Sequence, residues 1–399
     1  MSIQENVRKR QSECDRAIQS VNNSEMAFCK FLSANDSGET GGHQVGILVS
    51  MTAKEILFTD SFENEYIKKR LVKINWDDQL TTNSTFTWYK SKNELRITRF
   101  GRGFELLNPE RTGSLFVFTK QDDEDYTGFF LDTEEDINGF LGAFGMAPTE
   151  TNSLIKKKKI KDDLYEEHQA KIELVAKELI ERYKGFPSTK EMAYAAHKLS
   201  NSLYGGKLTI KNPDKQLINW TNEEYLLFRT VEFIEYGELI KNGFSSMENF
   251  IGVANTILNR RKSRAGKSLE NHLERIFDYH GLRYTAQART EKKKTPDFIF
   301  PSIEDYHNFN FPADKLTSLA AKTTCKDRWR QIITEAERIP IHHLCTLQQG
   351  ISEAQMNEME GENVILVVPK PYISSYPKKK RDKIWTVSRF IDYVKEKEK

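Results

Sequence analysis

Two ionisable residues, each set at the end of an apolar run, carry the clearest chemistry in the sequence. Asp297 stands in Thr295-Pro296-Asp297-Phe298-Ile299-Phe300, and Lys322 closes Leu319-Ala320-Ala321-Lys322, 25 positions later. Hydrolysis of a phosphodiester needs a hard divalent cation to hold the scissile oxygens and acidify a water, and Mg2+ takes carboxylate oxygens as ligands. Asp297 is the expected first ligand. The Lys322 ammonium beside it would orient or deprotonate the attacking water and neutralise charge growing on the phosphate. The usual nuclease strand carries an acid two places before the lysine, but Ala320 stands there, so the second carboxylate must come from elsewhere. Glu335, thirteen residues beyond Lys322, is the natural supplier. It falls on a helix predicted over 328–339, whose apolar members Ile332, Ile333, Ala336 and Ile339 would face a core and leave Glu335 at the cleft margin. Glu270, on the helix predicted before the first of these strands, would add an outer carboxylate.

The elements around these residues change character along the chain. From 28 to 130, short strand-like runs at 45–49, 85–89, 95–100 and 115–118 are broken by Gly, Asn and Asp clusters, which predicts an all-β barrel or sandwich. The apolar pattern stops near 149–161, where Pro, Thr, Asn and a lysine run read as a linker. Helical spacing follows at 164–183, 223–240 and 247–258, and Leu269, Leu273, Ile276 and Phe277 begin a further helix. Beyond Gly281, strand candidates at 296–300, 316–321, 344–347 and 364–368 alternate with helix candidates at 328–339 and 352–360, the texture of an α/β layer. The expected fold is mixed: an all-β domain over 1–150, a basic linker over 151–163 and an α/β domain over 164–399 with helices packed on a central mixed sheet. A chain of 399 residues is long enough for two such units, since domains run to about 100–150 residues.

Charge is nearly balanced, with 60 Lys and Arg against 58 Asp and Glu, so its distribution matters more than its sum. Acidic residues gather in 121–136 and basic ones in 156–161, 260–267, 292–294 and 377–383, a separation that suits a nucleic-acid face. Four cysteines without a CxxC pair or zinc-like His spacing predict reduced thiols in the cytoplasm and exclude structural zinc. No apolar run reaches the ~20 residues of a membrane helix, and the polar N-terminus predicts no signal peptide. Gly266-Lys267-Ser268 is no phosphate-cradling loop, because Arg261 stands where its first glycine belongs, so no nucleotide cofactor is expected. Two rival readings remain: Tyr306 as a covalent nucleophile of a strand transferase, near Arg260, Arg328 and His307, or a non-catalytic protein that binds two DNA sites and loops the DNA.

At these residues the sequence resembles the EcoRII-type restriction endonucleases. The likeness runs through Asn259-Arg260-Arg261-Lys262-Ser263-Arg264-Ala265-Gly266-Lys267-Ser268-Leu269-Glu270, Ala321-Lys322-Thr323-Thr324-Cys325-Lys326-Asp327-Arg328-Trp329-Arg330-Gln331-Ile332, Thr346-Leu347-Gln348 and, nearer the start, Leu32-Ser33-Ala34-Asn35-Asp36, Thr40-Gly41-Gly42-His43-Gln44-Val45-Gly46 and Arg96-Ile97-Thr98-Arg99. It implies a C-terminal nuclease core of the PD-(D/E)xK class and an N-terminal pseudobarrel that binds a second, effector copy of a site such as CCWGG. It further implies a homodimer on double-stranded DNA whose N-terminal domains block the catalytic clefts until effector DNA binds, and a pocket for an extruded base. By that resemblance Asp297, Lys322 and Glu335 form the active site, with Asp297 and Glu335 on the metal, and Lys326, Asp327 and Arg328 read bases. Arg and Lys donate to guanine while Asp accepts from cytosine, as reading a G·C pair requires. Arg260, Arg261, Lys262, Arg264, Lys267 and Arg330 join them as DNA contacts. Effector DNA would meet His43, Gln44, Lys90, Lys92, Glu94, Arg96, Arg99 and Arg102, which alternate with Trp88, Tyr89 and Phe100. The sequence departs from the family in an extension before Phe28 and a divergent linker.

Overall fold

The computed structural model describes residues 12–39, 46–77, 80–101, 104–155, 163–204 and 207–399. Eight strands form the first sheet: β1 (Met26–Phe31), β2 (Ile47–Val49), β3 (Ile67–Trp76), β4 (Leu80–Tyr89), β5 (Glu94–Thr98), β6 (Leu115–Lys120), β7 (Asp125–Leu131) and β8 (Ser153–Leu154). They pair in the order β2-β5-β4-β3-β7-β6-β1-β8, antiparallel except for β3 beside β7. β8 closes the edge against β1, so the sheet reaches past residue 150.

This sheet is apolar on both faces where its neighbours cover it. In β6, Phe116 and Phe118 point into a core with Phe28, Ile74, Trp76, Phe86, Tyr126 and Phe130. The alternate residues Leu115 and Val117 meet the helices Glu13–Asn23 and Glu134–Ala143, through Cys14, Ala17 and Val21 of the first and Ile137 and Phe140 of the second. A strand buried on both sides reads as a continuous apolar run, and all six residues of β6 are buried. The Glu134–Ala143 helix starts at Thr133, whose hydroxyl caps the Asp136 amide at 3.1 Å.

Helices Asp163–Tyr183, Thr189–Tyr204, Lys207–Lys211, Pro213–Asn242 and Met247–His280 precede the second sheet. The helix expected over 247–258 and the one expected from Leu269 are a single helix of 34 residues, capped by Ser246 and ended by Gly281 at φ +67°. Its apolar stripe lapses over 259–267 because Arg261 there faces the N-terminal domain, while Leu269, Leu273, Ile276 and Phe277 rejoin the core.

β9 (Thr285–Ala286), β10 (Phe298–Phe300), β11 (Thr317–Lys322), β12 (His342–Thr346) and β13 (Val364–Val367) pair in the order β13-β12-β11-β10-β9. β11, β12 and β13 run parallel and β9 and β10 antiparallel, giving the mixed sheet that the sequence predicts. Leu217, Trp220, Phe277 and Phe390 pack on one side, and Trp329, Ile332, Met356 and Tyr376 on the other. The helix expected over 328–339 is instead a 3-10 turn, Arg328–Thr334, followed by turns. Ile332, Ala336 and Ile339 are buried as their spacing suggests, but two different core clusters take them, and a regular α-helix would keep them on one stripe. Among the described residues, no helix is long and apolar enough to cross a membrane.

Candidate active site

The pairing of β10 with β11 sets Phe298 opposite Leu319, so Asp297, just before β10, and Lys322, at the end of β11, emerge at the same end of the sheet. Asp297 is 6% exposed. Its Oδ2 accepts from the Ala321 amide at 2.8 Å and from Lys322 Nζ at 3.3 Å. Its Oδ1 accepts from Gln287 Nε2 at 2.8 Å, and the same nitrogen donates to Glu270 Oε2 at 2.8 Å. Lys267 Nζ lies 2.9 Å from that Glu270 oxygen. One chain of polar contacts thus links Lys267, Glu270, Gln287, Asp297 and Lys322.

Glu335 ends the 3-10 turn Arg328–Thr334. Its backbone carbonyl accepts from the Thr290 hydroxyl, which ties the 3-10 turn to the strap before β10. Burial pushes its carboxyl up to about 7; the Asp297 charge pushes the same way, while Lys322 and then Lys294 oppose it. Burial also raises Glu270, with Lys267 lowering it, Asp297 raising it and Lys322 lowering it. Both glutamates therefore feel the same Asp297 and Lys322 charges, as members of one cluster do.

The donors are carboxylate oxygens, buried at Asp297 and Glu270 and half-buried at Glu335. Among the described residues no three His, Cys, Asp or Glu side chains converge on a metal position. Mg2+ keeps several waters and takes one or two carboxylates together with phosphate oxygens, and carboxylates such as those of Asp297 and Glu335 have the donor chemistry it prefers. Tyr306 is built differently. Its hydroxyl lies 2.6 and 2.7 Å from the two Glu291 oxygens, and burial with that contact holds its pKa above the ordinary value. It braces the strap before β10 and is a poor nucleophile.

The remaining charged residues fall into three groups. Lys326 is buried, with Nζ on Ser114 Oγ at 2.6 Å; Arg328 pairs with Glu134 at 2.8 Å; and the Asp327 carboxylate accepts from the Glu134 amide at 2.8 Å. Both partners, Ser114 and Glu134, belong to the N-terminal domain. The second group lines the long helix. Arg261 donates to Glu232 and to the Gly142 and Ala143 carbonyls, Arg260 lies over Phe186 and on the Tyr236 hydroxyl, and Arg264 is buried against Tyr225 and Phe228. Lys262 is exposed, and Arg330 pairs with Glu358. In the third group, Lys90 and Lys92 are exposed in the turn that joins β4 to β5, Arg99 is exposed beyond the opposite end of β5, Arg96 pairs with Glu94 at 3.0 Å, and Trp88 and Phe100 are buried in the core. His43, Gln44 and Arg102 lie outside the described residues. Sequence reasoning missed Gln287, Thr290 and Glu134, none of which has a chain neighbour that advertises its role.

Two family models match the chain: "EcoRII C terminal" over residues 228–391, and "Restriction endonuclease EcoRII, N-terminal" over residues 21–153. The Type II restriction enzyme EcoRII of Escherichia coli is 37% identical over 385 residues, covering 91% of this chain and 92% of that protein. The Type II restriction enzyme SsoII of Shigella sonnei is 29% identical over 119 residues, 27% of this chain and 37% of that one. A solved structure of metal-depleted Ecl18kI in complex with uncleaved, modified DNA aligns with a TM-score of 0.45 and 19% identity, over 57% of this chain and 84% of that one. The class is that of the restriction endonucleases, nucleases that cut DNA at specific sites. Within it, the chain belongs to the EcoRII family of type II restriction enzymes.

Proposed function

We propose that the chain makes Mg2+-dependent double-strand breaks at a short site, with Asp297 and Glu335 holding the ion, Lys322 serving the attacking water, and Glu270 supporting from behind. The placement of Asp297 and Lys322 at one end of the sheet, 3.3 Å apart, with the Glu335 backbone tied to Thr290 ahead of β10, carries this reading. Bound there, the cation supplies Lewis-acid polarisation of the scissile phosphate. The chain's own groups do the rest. Lys322 Nζ, anchored on Asp297, faces the charge that grows on the phosphate and orients the water for in-line attack, leaving 5′-phosphate and 3′-hydroxyl ends. Burial raises the Glu335 carboxyl to about 7, and a cation held there would favour its ionised form.

The regulatory part of the proposal rests on the contact between domains. The domain over 1–150 binds an effector copy of the site through His43, Gln44, Lys90, Lys92, Glu94, Arg96, Arg99 and Arg102. The domain over 164–399 acts as a homodimer on a second copy, in the cytoplasm. Lys326, Asp327 and Arg328 would read bases there, yet each is occupied by Ser114 or Glu134 of the first domain. Segments engaged in this way are withheld from DNA until the domains part.

Supercoiled plasmids with one or two sites, incubated with Mg2+ or with EDTA, test both parts. Linear product only with Mg2+, and faster with two sites or added effector duplex, supports the proposal. Cleavage in EDTA overturns the metal, and equal rates on both plasmids overturn the effector role. Removing residues 1–163 is expected to abolish the dependence on a second site.

A further inference from the structure

Gln287 is a neutral side chain that joins two carboxylates of the site. Its amide nitrogen lies 2.8 Å from both Glu270 Oε2 and Asp297 Oδ1. Carboxylate oxygens only accept, so both N–H bonds of the amide are spent, one on each acid. The backbone goes to unusual lengths to put it there. Gln287 has φ +50°, in the left-handed region that L residues other than Asn and Asp seldom adopt, and its own N–H donates to the Asp297 carbonyl at 3.0 Å. Strain of this kind persists where the surroundings impose it.

We propose that Gln287 is a positioning residue for the metal-binding carboxylate of Asp297, bracing it against Glu270 in fixed rotation so that its free lone pairs face the cation. This rests on the active-site reading above. The terminal torsion of an aspartate is broad, so its orientation has to be fixed from outside. For Asp297, the Ala321 amide and Lys322 take Oδ2, and Gln287 alone among the described donors takes Oδ1. A neutral donor suits the task, because a lysine or arginine at that position would bring a charge to compete with the incoming cation. Glu270 is held from its other side by Lys267, so Gln287 also transmits the position of the long helix to Asp297. Outer partners of metal ligands typically contribute about 10- to 100-fold to metal affinity.

The test compares the full-length protein with Gln287→Ala, Gln287→Gly and Asp297→Ala. Calorimetric titration with Mn2+ in the absence of DNA reads metal affinity directly, and the Mg2+ concentration for half-maximal plasmid cleavage gives a second readout. Glycine adopts φ +50° without strain, so Gln287→Gly keeps the backbone and removes only the amide. Both Gln287 variants are expected to bind Mn2+ about tenfold or more weakly, with cleavage recovering at high Mg2+ and with DNA affinity unchanged. If Gln287→Gly restores wild-type Mn2+ affinity and Mg2+ dependence, the residue is only a backbone element and the proposal fails. Loss of Mn2+ binding in Asp297→Ala alongside that result would leave the active-site reading intact. Full Mn2+ binding by Asp297→Ala would overturn the reading itself.

Discussion

Glu134 and Asp327 cap each other across the domain boundary: the Glu134 amide donates to Asp327 Oδ2 at 2.8 Å, and the Asp327 amide donates to Glu134 Oε2 at 3.3 Å. The Glu134 carboxylate also accepts from the Arg328 amide at 3.2 Å and from its guanidinium at 2.8 and 3.1 Å, and from the Thr324 hydroxyl at 3.3 Å. Glu134 is 3% exposed, and it opens the helix Glu134–Ala143, whose N-terminal dipole favours an acid at both positions. An acidic group that takes up the donors of the segment proposed to read DNA occupies them much as a base edge or phosphate would.

Replacing Glu134 by Ala leaves the Arg328 side chain and two amides without their acceptor. Hydrogen bonds to charged groups contribute about 1.5–3 kcal/mol each, and about 1.4 kcal/mol is a factor of ten. Cleavage of a one-site plasmid without effector duplex is expected to rise about tenfold or more. An unchanged rate, in a variant with wild-type melting behaviour, would show that this clasp does not restrain the nuclease.

Lys322→Ala is expected to reduce the rate of cutting by about 100- to 1,000-fold, the loss usual for a group that stabilises transition-state charge. Binding to a site-bearing duplex in EDTA, measured by gel shift, should stay near wild type. Normal cutting by this variant would remove the ammonium from the mechanism.

Gly113 and Gly350 meet backbone to backbone, and a Cβ on Gly113 would stand 2.1 Å from the Gly350 carbonyl oxygen. Gly113 also has φ +85°, accepts from Gln348 Nε2 at 2.7 Å and donates to Leu32 at 2.8 Å. Gly113→Ala therefore strains its own loop and wedges the domains apart. A larger radius of gyration in small-angle scattering is the expected outcome, and an unaltered profile would count against the tight approach.

Acid should expose a buried histidine pair. His197 Nε2 lies 2.8 Å from His272 Nδ1, and burial, then the His272 charge, depress His197 to about 2. A group depressed in the folded state contributes stability that is full above its unfolded pKa of ~6.5 and is lost as pH falls toward the folded value, by about 1 kcal/mol per pH unit. Glu13, raised to about 7 mainly by burial, works in the opposite sense, so the informative quantity is a difference. Between pH 7.5 and 5.5, the melting temperature of His197→Gln should fall less than that of wild type. Parallel curves would mean that His197 takes up its proton alike in the folded and unfolded chain.

The strands that carry the site were legible because each is a short apolar run ending in one charge: Phe298–Phe300 after Asp297, and Thr317–Lys322. Glu335 was legible as an acid beside buried isoleucines but not as part of a 3-10 turn, because Ile332 and Ala336 serve different cores and no periodicity records that. The long helix was split in the reading because its middle is polar, and that stretch packs on a domain more than 100 residues away in sequence. Gln287 left no mark, since a non-glycine residue at positive φ has no composition signal. Glu134 sits among other acids in 121–136, and only the folded contact separates it from solvated surface.

The mutual capping of Glu134 and Asp327 also has a thermodynamic corollary. On the proposed regulation, whatever free energy effector DNA spends in parting the two surfaces would be returned to substrate at the exposed segment, and linkage requires the exchange to be symmetric. A duplex engaged by Lys326, Asp327 and Arg328 would then strengthen the grip of the first sheet on its own DNA by the same factor by which effector strengthens substrate binding. On that proposal the two sites would be heterotropic partners of equal standing in binding.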